Sequence, residues 1–394
     1  DAPGLGALVA HGFEHAAQRG PGLLVLGYGL GQELEPRASC VGAPRARDSM
    51  PKHETSPSAG RGARMLAEWT DLGNAQRVIG FGERPARGRF DLGSMRSRTG
   101  RAAFEGVVGR AIELIRAGDC YQVNLSHALE GSFVGDAREL ASALFARARP
   151  AHGAYIEREL GSGRRRVVIS LSPELFLCAE RSGERSMRVV TRPMKGTRPT
   201  GGEAELAASC KDRAELAMIV DLMRNDLGRT CTIGSMRVDA DRTLEHHASG
   251  VVQGTWGVSG ELEFDGTARG AGERVGELVA GAFPPGSVTG APKVRAMQII
   301  DELEREDRGV YCGSIGLIQP DGRDGARMSL NVAIRTLVIE GEGDPRDMGS
   351  FARARAEYRV GAGIVADSVP GEEWRETLLK AAILREITTI EDIA

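Results

Sequence analysis

Apolar positions along this chain recur with two periods, and the clearest runs lie beyond residue 100. Phe104, Val107, Val108, Ala111, Ile112, Leu114 and Ile115 repeat at helical spacing, and Gly118 is placed to end that helix. Asp119 to Ser126 then alternates as a strand does. A second helix is predicted from about Ala137 to Ala148, followed by strands near 152–157, 165–171 and 174–179. The strongest helical pattern puts Leu216, Ile219, Val220 and Met223 on a core side and closes at Arg224-Asn225-Asp226-Leu227-Gly228-Arg229. Pro292 stands near the start of a helix through Glu304, where its missing N–H is not needed. Tyr311 to Gly316 and Leu330 to Thr336 read as strands, and Gly361 to Ser368 as a glycine bend plus strand. A last helix turns Leu378, Leu379, Ala382 and Ile383 inward. Strands in consecutive runs, rather than in strict βαβ alternation, point to antiparallel sheets.

The first hundred residues carry less pattern. Gly22 to Gly31 reads as a short buried strand and a glycine turn. Gly27, Gly29 and Gly31 lack the GxGxxG order and no amphipathic helix follows, so no nucleotide loop is assigned. Residues 40–64, rich in Pro, Ser, Gly and Arg, are expected to form a long surface loop, and 73–100 a further connection.

Composition narrows the class. A net charge of −3 over 394 residues gives no reason to expect nucleic acid or an acidic membrane as partner. No apolar run reaches the roughly 18 residues of a membrane span, and no signal-like segment opens the chain. The six cysteines are scattered without a CxxC pair, so neither a zinc site nor a disulfide framework is indicated. Reduced thiols and a cytoplasmic location are the expectation.

Candidate chemistry gathers at five places. The β-prone run Met187 to Thr191 leads through Pro193 to Lys195, which is expected where a strand ends and a turn through Gly196 begins. Such an amine can be a solvated charge, an anion contact or a nucleophile. Glu174 follows a proline inside an apolar run, where desolvation would raise its pKa into the range of a general acid. Asp212 and Glu215, three apart, project from one helix face; Glu373 and Glu376 repeat that spacing on the last helix. Two solvated faces are one reading. The other is an oxygen-ligand site for Mg²⁺, a hard ion that takes one or two carboxylates and keeps waters. Arg335, in an otherwise apolar stretch, needs an anionic partner such as a substrate carboxylate.

The ordered motifs GDCYQVNLS, SLSPELF, RPMKGTRP, DRAELAMIVDLMRNDLGR, PGSVTGAPK, YCGSIG, NVAIRT and GAGIVADS with EEWRET resemble the chorismate-utilising enzymes. That family includes anthranilate, isochorismate and salicylate synthases and the aminodeoxychorismate synthases. The resemblance runs from about residue 101 to 385. It implies an α/β (α+β) fold, two large mainly antiparallel sheets packed as a sandwich with helices outside. Residues 1–394 would form one chorismate-binding unit, with a divergent part (1–100) and a catalytic core (101–394).

The resemblance also implies roles. Gln122 stands where water-activating members carry lysine, and Lys195 where anthranilate synthases carry alanine but aminodeoxychorismate synthases lysine. It implies Mg²⁺ held by Glu215 and Glu376, with Asp212 and Glu373 acting through water. Lys195 would be the nucleophile toward chorismate, Glu174 the acid and His247 the candidate family histidine, although Ala248-Ser249-Gly250 after it depart from the family's Leu-Val-Ser. Arg335, Tyr311, Lys380, Thr197 and the backbone of Gly361, Ala362 and Gly363 would hold the substrate. Ammonia would come from a separate glutamine amidotransferase subunit, since no glutaminase triad is evident here. No tryptophan pocket is recognised. Two alternatives stay open: an anthranilate or 2-amino-2-deoxyisochorismate synthase, and a non-catalytic chorismate-binding partner.

Overall fold

The computed structural model describes residues 2–28, 67–71, 89–247, 250–322, 325–344 and 347–391. The expected loop at 40–64, most of the connection at 73–100, and Gly29 and Gly31 lie outside them.

Two large sheets carry the chain. In the first, eight strands run in the order Arg237–Val238, Val258–Glu263, Ser186–Arg192, Leu175–Arg181, Ala326–Asn331, Ser314–Pro320, Gly22–Leu26 and Ala67–Asp71, with every pairing antiparallel. The second has nine strands built around Gln122–Asp136, which pairs along its length with Asp347–Ile364. Among the described residues its one parallel pairing joins Ile390–Glu391 to Met95–Ser97. A small third sheet holds Met194–Pro199, Val251–Thr255 and Thr243–His247.

The large sheets meet face to face. Val25 and Ile315 of the first pack against Val168 of the second, and Leu24, Phe176 and Leu330 share a larger core with Leu125, Val167, Ile169 and Leu337. Burying each such side chain stabilises the fold by roughly 2 kcal/mol. The antiparallel sandwich with flanking helices is the architecture the motifs implied.

Helix ends follow local chemistry. Asp136 accepts from the Arg138 N–H at 2.8 Å and opens Ala137–Ala148; Ser209 accepts from the Asp212 N–H at 3.2 Å and opens Cys210–Gly228. Each such cap contributes about 1 kcal/mol. Gly118, at φ +89°, follows Arg101–Arg116 as expected, its N–H donating to the Ile115 carbonyl.

Several expected strands need correction. The strand placed from Asp119 starts at Gln122, because the Tyr121 N–H is taken by the Ala291 carbonyl. Tyr311 and Cys312 lie in a turn before Ser314–Pro320, with Cys312 at φ +61°. The run Leu330 to Thr336 splits, since Val332 to Arg335 link two strands belonging to different sheets and Arg335 sits at φ +51°. The strand through Ser368 stops at Ile364, where the Ser368 hydroxyl accepts from the Val365 N–H and turns the chain. Helix Ala2–Arg19, outside the elements predicted above, buries Leu5, Val9, Phe13 and Ala16 and packs on Ala268–Ala282. Gly272 lets them meet: a Cβ there would stand 2.6 Å from the Ala10 Cα.

Candidate active site

Lys195 does not end a strand, as expected, but lies within Met194–Pro199. Register shifts between Lys195 and Thr197, and Gly196 takes the extra residue at φ +74°. A Cβ at Gly196 would sit 2.7 Å from Leu206 Cδ1 and 2.8 Å from the Asp212 carboxyl carbon. Helix Cys210–Gly228 therefore presses directly on the bulge and carries Glu215 toward the amine. Burial pushes the Lys195 amine below its ordinary range; Glu215 opposes that shift and Lys380 reinforces it.

Glu174 stands just before Leu175–Arg181 and is 4% exposed. Its backbone is pinned from both sides: the Val332 N–H donates to its carbonyl at 3.0 Å, and its own N–H donates to Ser172 Oγ at 3.2 Å. Burial raises its carboxyl from 4.5 to about 7, against the pull of Ser287, Lys195 and Arg335. Arg335 faces Tyr358 and Glu174 from the linking turn, and burial lowers its pKa. His247, at the end of Thr243–His247, is lowered by burial and by Arg335. Its Nε2 is buried with no hydrogen-bond partner among the described residues.

The last helix, Pro370–Lys380, supplies the other wall. Lys380 Nζ donates to the Gly361 carbonyl at 2.7 Å and pairs with Glu376 at 2.8 Å, which holds Glu376 below the usual carboxylate range. Gly361 and Gly363 line the adjoining strand. A Cβ at Gly361 would come within 2.9 Å of Tyr311 Oη; one at Gly363, within 2.6 Å of Gln122 Nε2 and 3.2 Å of Lys195 Nζ. Gln122 is fully buried, and neither atom of its amide has a partner among the described residues. Gly363→Ala is accordingly expected to push on both the amide and the amine. Turnover should fall about tenfold or more for a displacement of this size, checked by steady-state kinetics, with little change in unfolding temperature.

Two expected residues sit apart. Thr197 lies beyond the bulge and is exposed, its hydroxyl accepting from Gln253 at 3.0 Å. Ala362 pairs with Leu125 and points to the opposite face from Gly361 and Gly363, so only its backbone adjoins them. Sequence reading had also given no role to three residues that touch the cluster. Ser287 acts on Glu174, Ser368 on Glu373, and Lys211 on Glu215, Glu373 and Glu376. Ser287 was within reach, since it lies in the PGSVTGAPK motif; Lys211 carried no signal beyond its charge.

Among the described residues no three acids converge as a finished metal-ligand set. The donor chemistry nevertheless fits a hard divalent cation. Burial holds Glu215 and Glu373 above the ordinary carboxylate range, and neighbouring Asp212 and Glu376 raise Glu215 further. Asp212 has Arg198 at 3.1 Å as its partner. The repulsion that Asp212 and Glu376 exert on Glu215 is the kind of carboxylate crowding a hard divalent cation relieves.

Comparison with known proteins shows the family and the fold. A family model described as chorismate binding enzyme matches residues 59–386. The chain is 38% identical over 312 residues to an anthranilate synthase component 1 of Aquifex aeolicus, covering 77% of this chain and 56% of that protein. It is 37% identical over 290 residues to an aminodeoxychorismate synthase component 1 of Escherichia coli, covering 70% and 55%. The chain thus spans a little over half the length of these relatives. A crystal structure of anthranilate synthase component I from Streptococcus pneumoniae superposes with a TM-score of 0.66 at 25% identity, covering 92% of this chain and 80% of that one. A 2,3-dihydroxybenzoate-specific isochorismate synthase structure from Bacillus anthracis, 19% identical with a TM-score of 0.67 over 98% and 89%, shares the fold.

Proposed function

Because this chain belongs to the family of chorismate binding enzymes, we propose that it aminates chorismate to 4-amino-4-deoxychorismate through a covalent adduct on Lys195. The observation that carries this reading is the pairing of a desolvated amine with a buried carboxyl near neutral range. Lys195 and Glu174 act on each other's ionisation, and each is shifted toward its uncharged form.

The chain's residues then act in order. Arg335 and Lys380 would hold carboxylate groups of the substrate, with Tyr311 and the Gly361–Gly363 backbone around its enolpyruvyl arm. Lys195, as a neutral amine, attacks C2 of the ring; the double bond shifts and the C4 hydroxyl leaves as water with the proton of Glu174. Ammonia then bonds at C4, the double bond shifts back, and Lys195 leaves as the free amine. The surplus proton returns to Glu174. Glu215 and Glu376 would hold Mg²⁺ directly, with Asp212 and Glu373 acting through water. When bound, that ion would make the ring carboxylate electron-withdrawing. Gln122, a neutral amide, offers no base to activate water at the site.

Relatives named as component 1 support a second component, and we propose a glutamine amidotransferase subunit as the ammonia source. No described helix is long and apolar enough to cross a membrane. The test is chorismate with ammonium and Mg²⁺, the product read by mass. Aminodeoxychorismate, retaining the enolpyruvyl group, is the expected product. Anthranilate with released pyruvate would move the chain to the other branch, and no product under any condition would favour a binding role.

A further inference from the structure

One buried residue beneath the site takes no part in the chemistry above. His127, on the central strand Gln122–Asp136, is fully buried. Its ring stacks on Trp374, with centroids 4.7 Å apart and planes 19° apart, and meets the edge of Phe104 at 4.9 Å. Both ring nitrogens are engaged: Nδ1 lies 3.0 Å from Ser97 Oγ and Nε2 lies 2.9 Å from Thr377 Oγ1.

The neighbours fix where each proton lies. Thr377 Oγ1 donates to the Trp374 carbonyl at 2.7 Å, so its one proton is committed and it must accept from His127 Nε2–H. Burial and the charge of Arg359 lower the imidazole pKa to about 3, so the ring is neutral and Nδ1 is an acceptor. Ser97 Oγ accepts from the Gly100 N–H at 3.1 Å and gives its own proton to Nδ1. One directed chain of hydrogen bonds thus runs from the start of helix Arg101–Arg116, through the central strand, into the last helix.

Trp374 and Thr377 share the inward face of Pro370–Lys380. Glu373 and Glu376 precede them by one residue each, and Lys380 lies four beyond Glu376, about 100° round the axis from the His127 contacts. At a side-chain radius of about 6 Å, a helix rotation of about 10° moves a carboxylate by about 1 Å. We infer that His127 is a positioning residue, which through its Nε2–H bond to Thr377 and its stacking on Trp374 sets the rotation of this helix and so the placement of Glu373, Glu376 and Lys380. The inference rests on the proposed use of those groups at the reaction centre.

The experiment compares the parent with His127→Gln, His127→Phe and Thr377→Val. Gln keeps an N–H donor toward Thr377, Phe keeps only the stacking, and Val removes the acceptor without touching the histidine. Mg²⁺ binding is measured by calorimetry without chorismate, beside KM and kcat at saturating Mg²⁺ and thermal unfolding. His127→Phe and Thr377→Val are expected to weaken Mg²⁺ binding and raise KM about tenfold, with His127→Gln within about twofold of the parent. Lower unfolding temperatures with unchanged Mg²⁺ affinity and KM would reduce His127 to a structural role and overturn the inference. So would ¹⁵N resonances, assigned by difference against His127→Gln, that place the proton on Nδ1. A parent that binds Mg²⁺ but turns over no chorismate overturns the functional reading alone, because the binding isotherms still decide the role of His127.

Discussion

Replacing Lys195 with alanine is expected to cut aminodeoxychorismate formation roughly a thousandfold, a loss of about 4 kcal/mol of transition-state stabilisation. The amine is held between Glu215, Glu174 and Lys380 with its charged form disfavoured by burial, and a methyl group supplies no nucleophile in its place. Residual product should shift toward anthranilate, since ammonia would then enter at C2 directly. Lys195→Arg makes the sharper control. It keeps a cation of similar reach, yet a guanidinium is not neutral at any working pH and cannot attack. Lys195→Arg should therefore form no adduct and lose aminodeoxychorismate formation at least as far as Lys195→Ala does. Aminodeoxychorismate made by Lys195→Ala at the parent's rate would end the covalent route.

Glu174→Gln is the second large effect, a fall of roughly 10²- to 10⁴-fold in kcat through loss of the general acid. The pH profile separates this from simple disturbance. With its carboxyl raised to about 7, the parent should lose activity as pH rises through that value, because the proton needed by the leaving hydroxyl is gone. The weak residual rate of Glu174→Gln should be flat over the same window. Stability gives an independent reading of the same pKa. A carboxyl whose folded pKa is raised contributes stability that is present below its ordinary 4.5 and lost as pH rises through about 7. Without ligands, Glu174→Gln should therefore match the parent near pH 4.5 and exceed it above pH 8, by on the order of 3 kcal/mol at most. Thermal unfolding at the two pH values checks the sign.

The chemistry of this site was more legible in the sequence than its architecture. Glu174, inside an apolar run, and Glu215 and Glu376, each in a pair at helical spacing, stand out locally, whereas the role given to Lys195 comes from the family resemblance. The structure brings the three carboxylates within electrostatic reach of the Lys195 amine. What failed was local reading of buried links. Val332 to Arg335 is as apolar as a strand because it is as buried as one, yet it turns between the two sheets. Helix Ala2–Arg19 carries its signal in Leu5, Val9, Phe13 and Ala16, an inward stripe with no chemical motif beside it. Strand Asp347–Ile364 likewise alternates buried Ala356, Tyr358 and Val360 with more polar neighbours, although only its glycine end carries a motif. Which strands share a sheet is set by partners hundreds of residues away, and no local pattern contains that. The same holds for His127, whose partners Ser97, Trp374 and Thr377 all lie far from it in sequence.

The pairing of Gln122–Asp136 with Asp347–Ile364 also dictates when in the life of the molecule its reactivity begins. A ribosome makes Lys195, Glu174 and Glu215 long before Glu376 and Lys380, and domains built on long-range pairing form late. On the growing chain Lys195 still lacks Gly363 beside its amine and the charges of Glu376 and Lys380. In the proposed reaction the amine can therefore act only once strand Asp347–Ile364 has closed beside it, late in the making of the chain.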